Sequence, residues 1–279
     1  MPEDVVGWTA RKLNYEPPEI DTSKAHSARL YDYLLGGKDN YPPDRKAAEE
    51  VIKATPSVVV AARQNRLFLE RVTRYLAAEE GIDQFLDIGT GIPTSPNVHE
   101  TAQAVNPAAR VAYVDNDPIV LAHVRALLNS SPEGRVVYIQ ADMRDAEAVL
   151  SAPDLTSTLD LSRPVALIIL STLHFITDHD EARGLLGRYV ARLAPGSFLA
   201  LSVATTDKAA PAAASQALAA FGAHGLPVLT RTHAEVTALF DGLKLTDPGV
   251  VRVNRWRPDE SADPEASGVG VYCGVARKP

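Results

Sequence analysis

From Ser23 onward, apolar side chains recur every three or four positions, the spacing of an amphipathic helix. Ala28, Tyr31, Leu34 and Leu35 form the first such series, and Gly36-Gly37 supplies a stop. Lys38 to Pro43 reads as a loop and Asp44 as the cap of a short helix reaching Ala54. Pro56-Ser57 opens a longer helix that turns Ala61, Ala62, Phe68, Leu69, Val72 and Leu76 inward, runs to Glu80 and ends at Gly81. Residues 1–22 carry no period and read as an extended arm rich in Pro and acids.

After Gly81 the pattern changes. Short, nearly continuous apolar runs (Gln84–Ile88, Arg110–Val114, Val136–Gln140, Val165–Leu170, Ser197–Val203) alternate with helical stretches. Strands apolar on both faces and separated by helices predict a parallel sheet covered on both sides. Two late runs, Lys244–Arg252 and Val269–Ala276, are joined by a polar, loop-like segment and predict an antiparallel hairpin. Ala209 to Ala220 reads as an Ala-rich helix. The expected fold is therefore α/β: a Rossmann-like, doubly wound, mostly parallel sheet with a C-terminal antiparallel hairpin and an N-terminal helical extension. Residues 1–80 form the arm and helical lid, and residues 81–279 form the Rossmann-like domain.

Composition narrows the function. Hydrophobic residues make up 46% of the 279, enough for a sizeable core, while the longest apolar run is too short to span a bilayer. The N-terminus, Met1-Pro2-Glu3-Asp4, has no secretion signal pattern, and Cys273 is alone, so a cytoplasmic protein without disulfides or a Cys-based zinc site is expected. A net charge of −7 argues against general nucleic-acid binding. The charge is uneven, however: residues 23–78 hold ten Lys/Arg against six acids, a balance of +4, leaving −11 elsewhere. That segment is either an ordinary solvated helical surface or a contact for an anion.

The string Phe85-Leu86-Asp87-Ile88-Gly89-Thr90-Gly91-Ile92-Pro93-Thr94 joins a strand to a glycine turn that a ligand can approach closely, leading into a helix N-terminus. A dinucleotide fingerprint would have a third glycine, and a carboxylate at Asp87 serves a ligand ammonium better than a pyrophosphate. The second strand ends in Asp115-Asn116-Asp117-Pro118. Asp115 is placed to accept ribose hydroxyls, and Asp117-Pro118 to cap the next helix. The third strand ends in Ala141-Asp142-Met143, where a carboxylate can accept an adenine amino group and Met143 can offer a backbone amide and an apolar contact.

The series Asp87-x-Gly89-x-Gly91, Val114-Asp115, Ala141-Asp142 resembles the motifs of class I S-adenosylmethionine-dependent methyltransferases. Ser27 to Tyr41 (SARLYDYLLGGKDNY), Ala62 to Arg66 and Leu86 to Thr94 are similar to an actinobacterial methyltransferase family formerly listed as a domain of unknown function. The resemblance spans essentially the whole chain and implies the fold and the cofactor, S-adenosylmethionine, but not the acceptor. Pro93 departs from the general class, where many members have a third glycine, and removes a backbone N–H near the methionine end.

Around the reaction centre, Ser171 follows the fourth strand, and His174 is the best placed of seven histidines for a general base. The favoured reading of His174 is that it caps or packs the start of the next helix, and methyl transfer from a sulfonium can rest on positioning alone. Arg63 is the candidate for the methionine carboxylate, with pairing to a helix acid as the alternative, and Asn40 and Tyr41 are candidates from the polar loop of the lid. Asp178-His179-Asp180-Glu181 fits N-capping better than metal binding, and His99, His123, His224 and His233 stand alone. The acceptor, a small molecule, is expected between the loop Gly36–Asp44, the His174 region and residues 202–226. The bland alternative gives those segments to sheet cover or a homodimer face. Two other functions stay open: a nicotinamide-dependent oxidoreductase, and a non-catalytic S-adenosylmethionine-binding partner or regulator.

Overall fold

Residues 20–120, 130–207 and 209–279 are described by the computed structural model. Lys208, His123, most of the helix expected after Pro118 and nearly all of the expected N-terminal arm lie outside them. The chain opens with α1 (Ser27–Leu35), α2 (Pro42–Ala54) and α3 (Val58–Ala78). α1 begins four residues later than the apolar period suggests, because the Asp21 carboxylate takes the Ser23 N–H and hydroxyl and bends the chain there. It ends as expected: Gly36 takes φ +84°, and the N–H groups of Gly36 and Gly37 reach back to Tyr33 and Asp32.

Asp44 does not cap α2 from outside. It sits one turn inside, behind Pro42 and Pro43, and its carboxylate accepts from the Tyr41 N–H and the His26 N–H, each at 2.8 Å. Fully buried and 3.3 Å from the Arg29 guanidinium, it ties the starts of α1 and α2 together.

The sheet contains β1 (Gln84–Ile88), β2 (Arg110–Asp115), β3 (Arg135–Gln140), β4 (Ala166–Leu170), β5 (Phe198–Ala204), β6 (Lys244–Leu245), β7 (Val251–Arg252) and β8 (Val271–Arg277). The order is β3-β2-β1-β4-β5-β8-β6, with β7 also on β8. β1 to β5 are parallel, and β8 runs antiparallel between β5 and the short pair β6 and β7. The run Lys244–Arg252 is thus two short strands, parted by a turn containing Pro248 and Gly249, the latter at φ +81°.

Each face of the sheet buries its own core. One packs Leu185, Leu186 and Tyr189 of the helix His179–Arg192 against Leu86, Leu167 and Leu199. The other packs Phe68, Val72 and Leu76 of α3 against Phe85, Val111 and Ile168. Trp256, fully buried, meets Phe68 and Tyr75 edge-on at 5.3 and 5.5 Å. The upper end of α3 belongs to a separate cluster with α1, α2 and the helix Pro211–Gly222, through Leu30, Leu34, Ala48, Ala62 and Phe221. α3 therefore joins the sheet's core to the cluster of α1, α2 and the helix Pro211–Gly222.

Candidate active site

The C-terminal ends of β1, β2, β3 and β4 open onto one cavity of about 700 Å³. Ten residues expected from sequence line it: Asp87, Gly89, Thr90, Gly91, Asp115, Asn116, Asp142, Met143, Ser171 and His174. They come from four separate strand ends. Sheet order, which sequence spacing does not contain, brings them together at the point between β1 and β4 where the succession of strands across the sheet reverses.

The glycine turn shows why those positions are glycine. Gly89 has φ +71°, and a Cβ there would lie 2.3–2.8 Å from the Thr172 side chain. Gly91 has φ +67° but open space around it, so a ligand can come close. The Asp115 carboxylate braces this turn, accepting from Gly91 N at 2.8 Å and Asp117 N at 3.0 Å. Asp87 accepts from the Thr90 hydroxyl at 2.8 Å, and burial raises its pKa to about 6. Desolvation disfavours the charged carboxylate there, with one hydroxyl bond and the Arg66 guanidinium opposing. Asp142 is more exposed and accepts from the Arg144 N–H at 2.9 Å.

The turn does not run straight into a helix, as the sequence suggested. α4 (Val98–Val105) starts seven residues after Gly91, capped by Asn97 and Glu100. Pro93 and Pro96 interrupt the intervening segment, and Arg66 holds it by donating to the carbonyls of Thr94 and Pro96.

Arg63, Asn40 and Tyr41 do not line the cavity. Arg63 is exposed on the far side of α3. Asn40 is spent within its own loop, donating to Asp32 at 2.8 Å and to Gly37 O at 3.1 Å. Tyr41 packs beside Ala28, Ile92 and Ile119. The whole loop Gly36–Asp44 is absent from the cavity wall. In its place stand Arg66 and Asn65, to which the sequence reading gave no site role, and Tyr31, which it weighed as core or pocket lining. Arg66 lines the cavity with a buried Nε that has no hydrogen-bond partner among the described residues. Asn65 and Tyr31 line it too, linked to the sheet: Asn65 donates to the Tyr31 hydroxyl at 3.0 Å and accepts from Ser202 Oγ at 2.6 Å. Ser202 Oγ in turn accepts from the Ser171 N–H at 2.9 Å. Ser171 takes φ +51°, a conformation a non-glycine residue keeps only where its surroundings hold it.

His174 lies on the turn Leu173–Phe175, and its Nδ1 is buried without a partner among the described residues. Burial first, and the Arg231 charge second, push its pKa down to about 3, so it is neutral at ordinary pH. Arg231, itself buried, clamps this turn by donating to the carbonyls of Leu173 and Ile176 at 3.4 and 3.0 Å. Asp178 caps the following helix by accepting from Glu181 N at 2.8 Å, as expected.

A parallel sheet with a reversed strand inserted next to its last parallel one, and a cavity over its C-terminal edge lined by acids from three successive strands, is the architecture of a Rossmann-like methyltransferase. The chain belongs to the S-adenosyl methyltransferase family, whose sequence pattern matches residues 14–279. It is an S-adenosylmethionine-dependent methyltransferase, which sets aside the oxidoreductase and non-catalytic readings. A protein of the DUF574 family from Streptomyces avermitilis is 49% identical, with 94% of this chain and 100% of that one covered and a TM-score of 0.90. A candidate methyltransferase from Thermobifida fusca is 42% identical over 95% and 98% of the two chains, with a TM-score of 0.85. The N-methyltransferase NodS from Bradyrhizobium japonicum, in complex with S-adenosylhomocysteine, is 14% identical over 90% and 99%, at a TM-score of 0.50, and shares the fold. No functionally curated protein matches the chain. Among the described residues no helix is long and apolar enough to cross a membrane.

Proposed function

We propose that the cavity binds S-adenosylmethionine with Asp115 at the ribose, Asp142 at the adenine amino group, Asp87 at the methionine ammonium and Arg66 at its carboxylate. A small-molecule nucleophile is held beside Ser171 and His174. The observation that carries this reading is the convergence of ten residues from four strand ends on one cavity. The residues suit the ligand. Asp115 keeps lone pairs for hydroxyl donors beyond its two backbone bonds. The unpartnered Nε of Arg66 suits a carboxylate, and Gly91 leaves the backbone open to contact.

S-adenosylmethionine supplies an electrophilic methyl group on a sulfonium. The acceptor's lone pair forms the new bond to the methyl carbon as the carbon–sulfur bond breaks. That bond's electron pair stays on sulfur, and the acceptor's proton passes to water. The chain's task is alignment, which can supply several kcal/mol of the barrier. With its pKa near 3, His174 orients an O–H or N–H through its free nitrogen better than it removes a proton.

The test is calorimetry with S-adenosylhomocysteine and NAD on wild type, Asp115→Ala and Asp142→Ala. Wild type should bind the first and ignore the second. Asp115→Ala should cost about 1.5–3 kcal/mol of affinity. Asp142→Ala should lose discrimination between the adenosine and inosine forms. Unchanged affinity in Asp115→Ala sinks the ribose assignment.

A further inference from the structure

The cavity extends past the strand ends that carry the donor motifs, over β5 and β7, and its walls change character there. Its roof is the helix Pro211–Gly222, which presents Ala210 (its cap), Ala213, Ala214, Ala217 and Leu218 to the space. These positions follow the i, i+3, i+4, i+7, i+8 spacing of one helical face. No residue of that helix is fully buried: Ala214, Ala217 and Leu218 are half-buried and Ala213 is exposed, so this smooth apolar face is only partly covered.

The far end is different. Asn254 lies on the turn Val253–Arg255, just beyond the C-terminal end of β7, and Arg71 of α3 holds that turn by donating to Val253 O at 2.7 Å. The Asn254 amide nitrogen faces three carbonyls, those of Asp263, Pro264 and Ala266, at 2.9, 3.1 and 3.4 Å. Those acceptors fix which way the amide points. Its Oδ1 is turned away from them, buried, with no partner among the described residues, in a side chain that lines the cavity and is only 2% exposed. A buried, unpartnered acceptor is costly and calls for a ligand donor. The nearby cations have partners: Arg252 donates to Val269 O and Asp207 O and stacks on Tyr272, whose hydroxyl meets the Asp207 carboxylate, while Arg255 donates to Pro264 O and lies 3.9 Å from the Glu265 carboxylate. The wall therefore offers an apolar roof and, at its far end, the unpartnered Asn254 carbonyl among the polar side chains Thr206, Asp207 and Thr230. From the end of β4 to that of β7 is three strand spacings, roughly 14 Å.

We propose that this half of the cavity holds the methyl acceptor, and that the acceptor is a neutral, largely apolar ring compound with a hydroxyl at each end. One hydroxyl is delivered beside Ser171 and His174, and the other donates to Asn254 Oδ1. The proposal rests on the methyl-transfer reading above and adds the substrate class to it.

Three probes separate the possibilities: 4,4'-dihydroxybiphenyl, 4-hydroxybiphenyl and 4'-hydroxybiphenyl-4-carboxylate. Each is titrated into the full chain saturated with S-adenosylhomocysteine. The dihydroxy probe should bind about fivefold tighter than the monohydroxy one, and the carboxylate weakest of the three. Ala217→Trp, placed on the half-buried helix face that lines the cavity, should weaken the dihydroxy probe at least about tenfold by filling the space. Asn254→Leu should bring the two neutral probes to within about twofold of each other. Equal affinity for all three probes, no binding of any, or an Ala217→Trp protein that binds like wild type overturns the proposal. The donor titration comes first in each sample. A chain that fails to bind S-adenosylhomocysteine refutes the donor site, and this inference falls with it. A chain that binds the donor product but not the probes refutes the acceptor class alone.

Discussion

At the residue scale, Asp87 couples the site to pH. With its pKa near 6 it is mostly protonated at pH 5 and mostly ionised at pH 7. If it meets the ligand ammonium, S-adenosylhomocysteine affinity should rise about tenfold between those values and then level off, and Asp87→Asn should flatten the curve. The unliganded fold responds in the opposite sense. Because the folded value lies above the ordinary 3.8, the group's contribution to stability is full below that value and is lost as pH rises through 6. Asp87→Asn should therefore melt higher than wild type at pH 8 while binding ligand more weakly. Falling stability together with unchanged binding would contradict both halves. The two glycines beside it also separate. Gly89→Ala forces a methyl group onto the Thr172 side chain and should destabilise the fold beyond the ~1–2 kcal/mol of a left-handed residue. Gly91→Ala meets open space, so it should cost no more than that and show its effect in ligand affinity. Thermal melts and a titration on both variants check this contrast.

At the scale of elements, α3 decides which arginine reaches the ligand. Ala62, Arg66, Leu69 and Thr73 follow one another at three- and four-residue steps along the inner face, whereas Arg63 is rotated about 100° from Ala62. Applying the 3.6-residue period to Arg63-Gln64-Asn65-Arg66 puts Asn65 at the centre of the inner face and Arg66 nearer to it than Arg63, so that ranking was present in the sequence. Arg66→Met should lower S-adenosylhomocysteine affinity by on the order of tenfold or more, since it removes a charged donor and frees the segment Thr94–Asn97. Arg63→Met should change affinity by less than about twofold. The reverse ranking would reinstate Arg63.

At the scale of the whole molecule, the helical segment is not one detachable unit. α1 and α2 form a cluster with the helix Pro211–Gly222, while α3 is built into the sheet's core. Deleting residues 1–55 should leave the circular dichroism of an α/β protein but weaken S-adenosylhomocysteine at least about tenfold, because His26 to Leu34 supply part of the cavity wall. A truncated chain that binds as tightly as the full one would remove the lid from the account. The sequence by itself determined the element order, the five parallel strands to within a residue or two and the acids and glycines at their ends, because these follow from local periodicity and turn chemistry. Only the tertiary structure decided the rest. It set the strand order that collects those ends, the insertion of β8 beside β5, the retreat of Asn40 into its own loop and of Tyr41 against Ala28, Ile92 and Ile119, and the lone carbonyl of Asn254. Each depends on which distant segments meet, through side chains such as Arg71 and Trp256 that join positions about 185 residues apart, and contacts of that range leave no periodic trace along the chain.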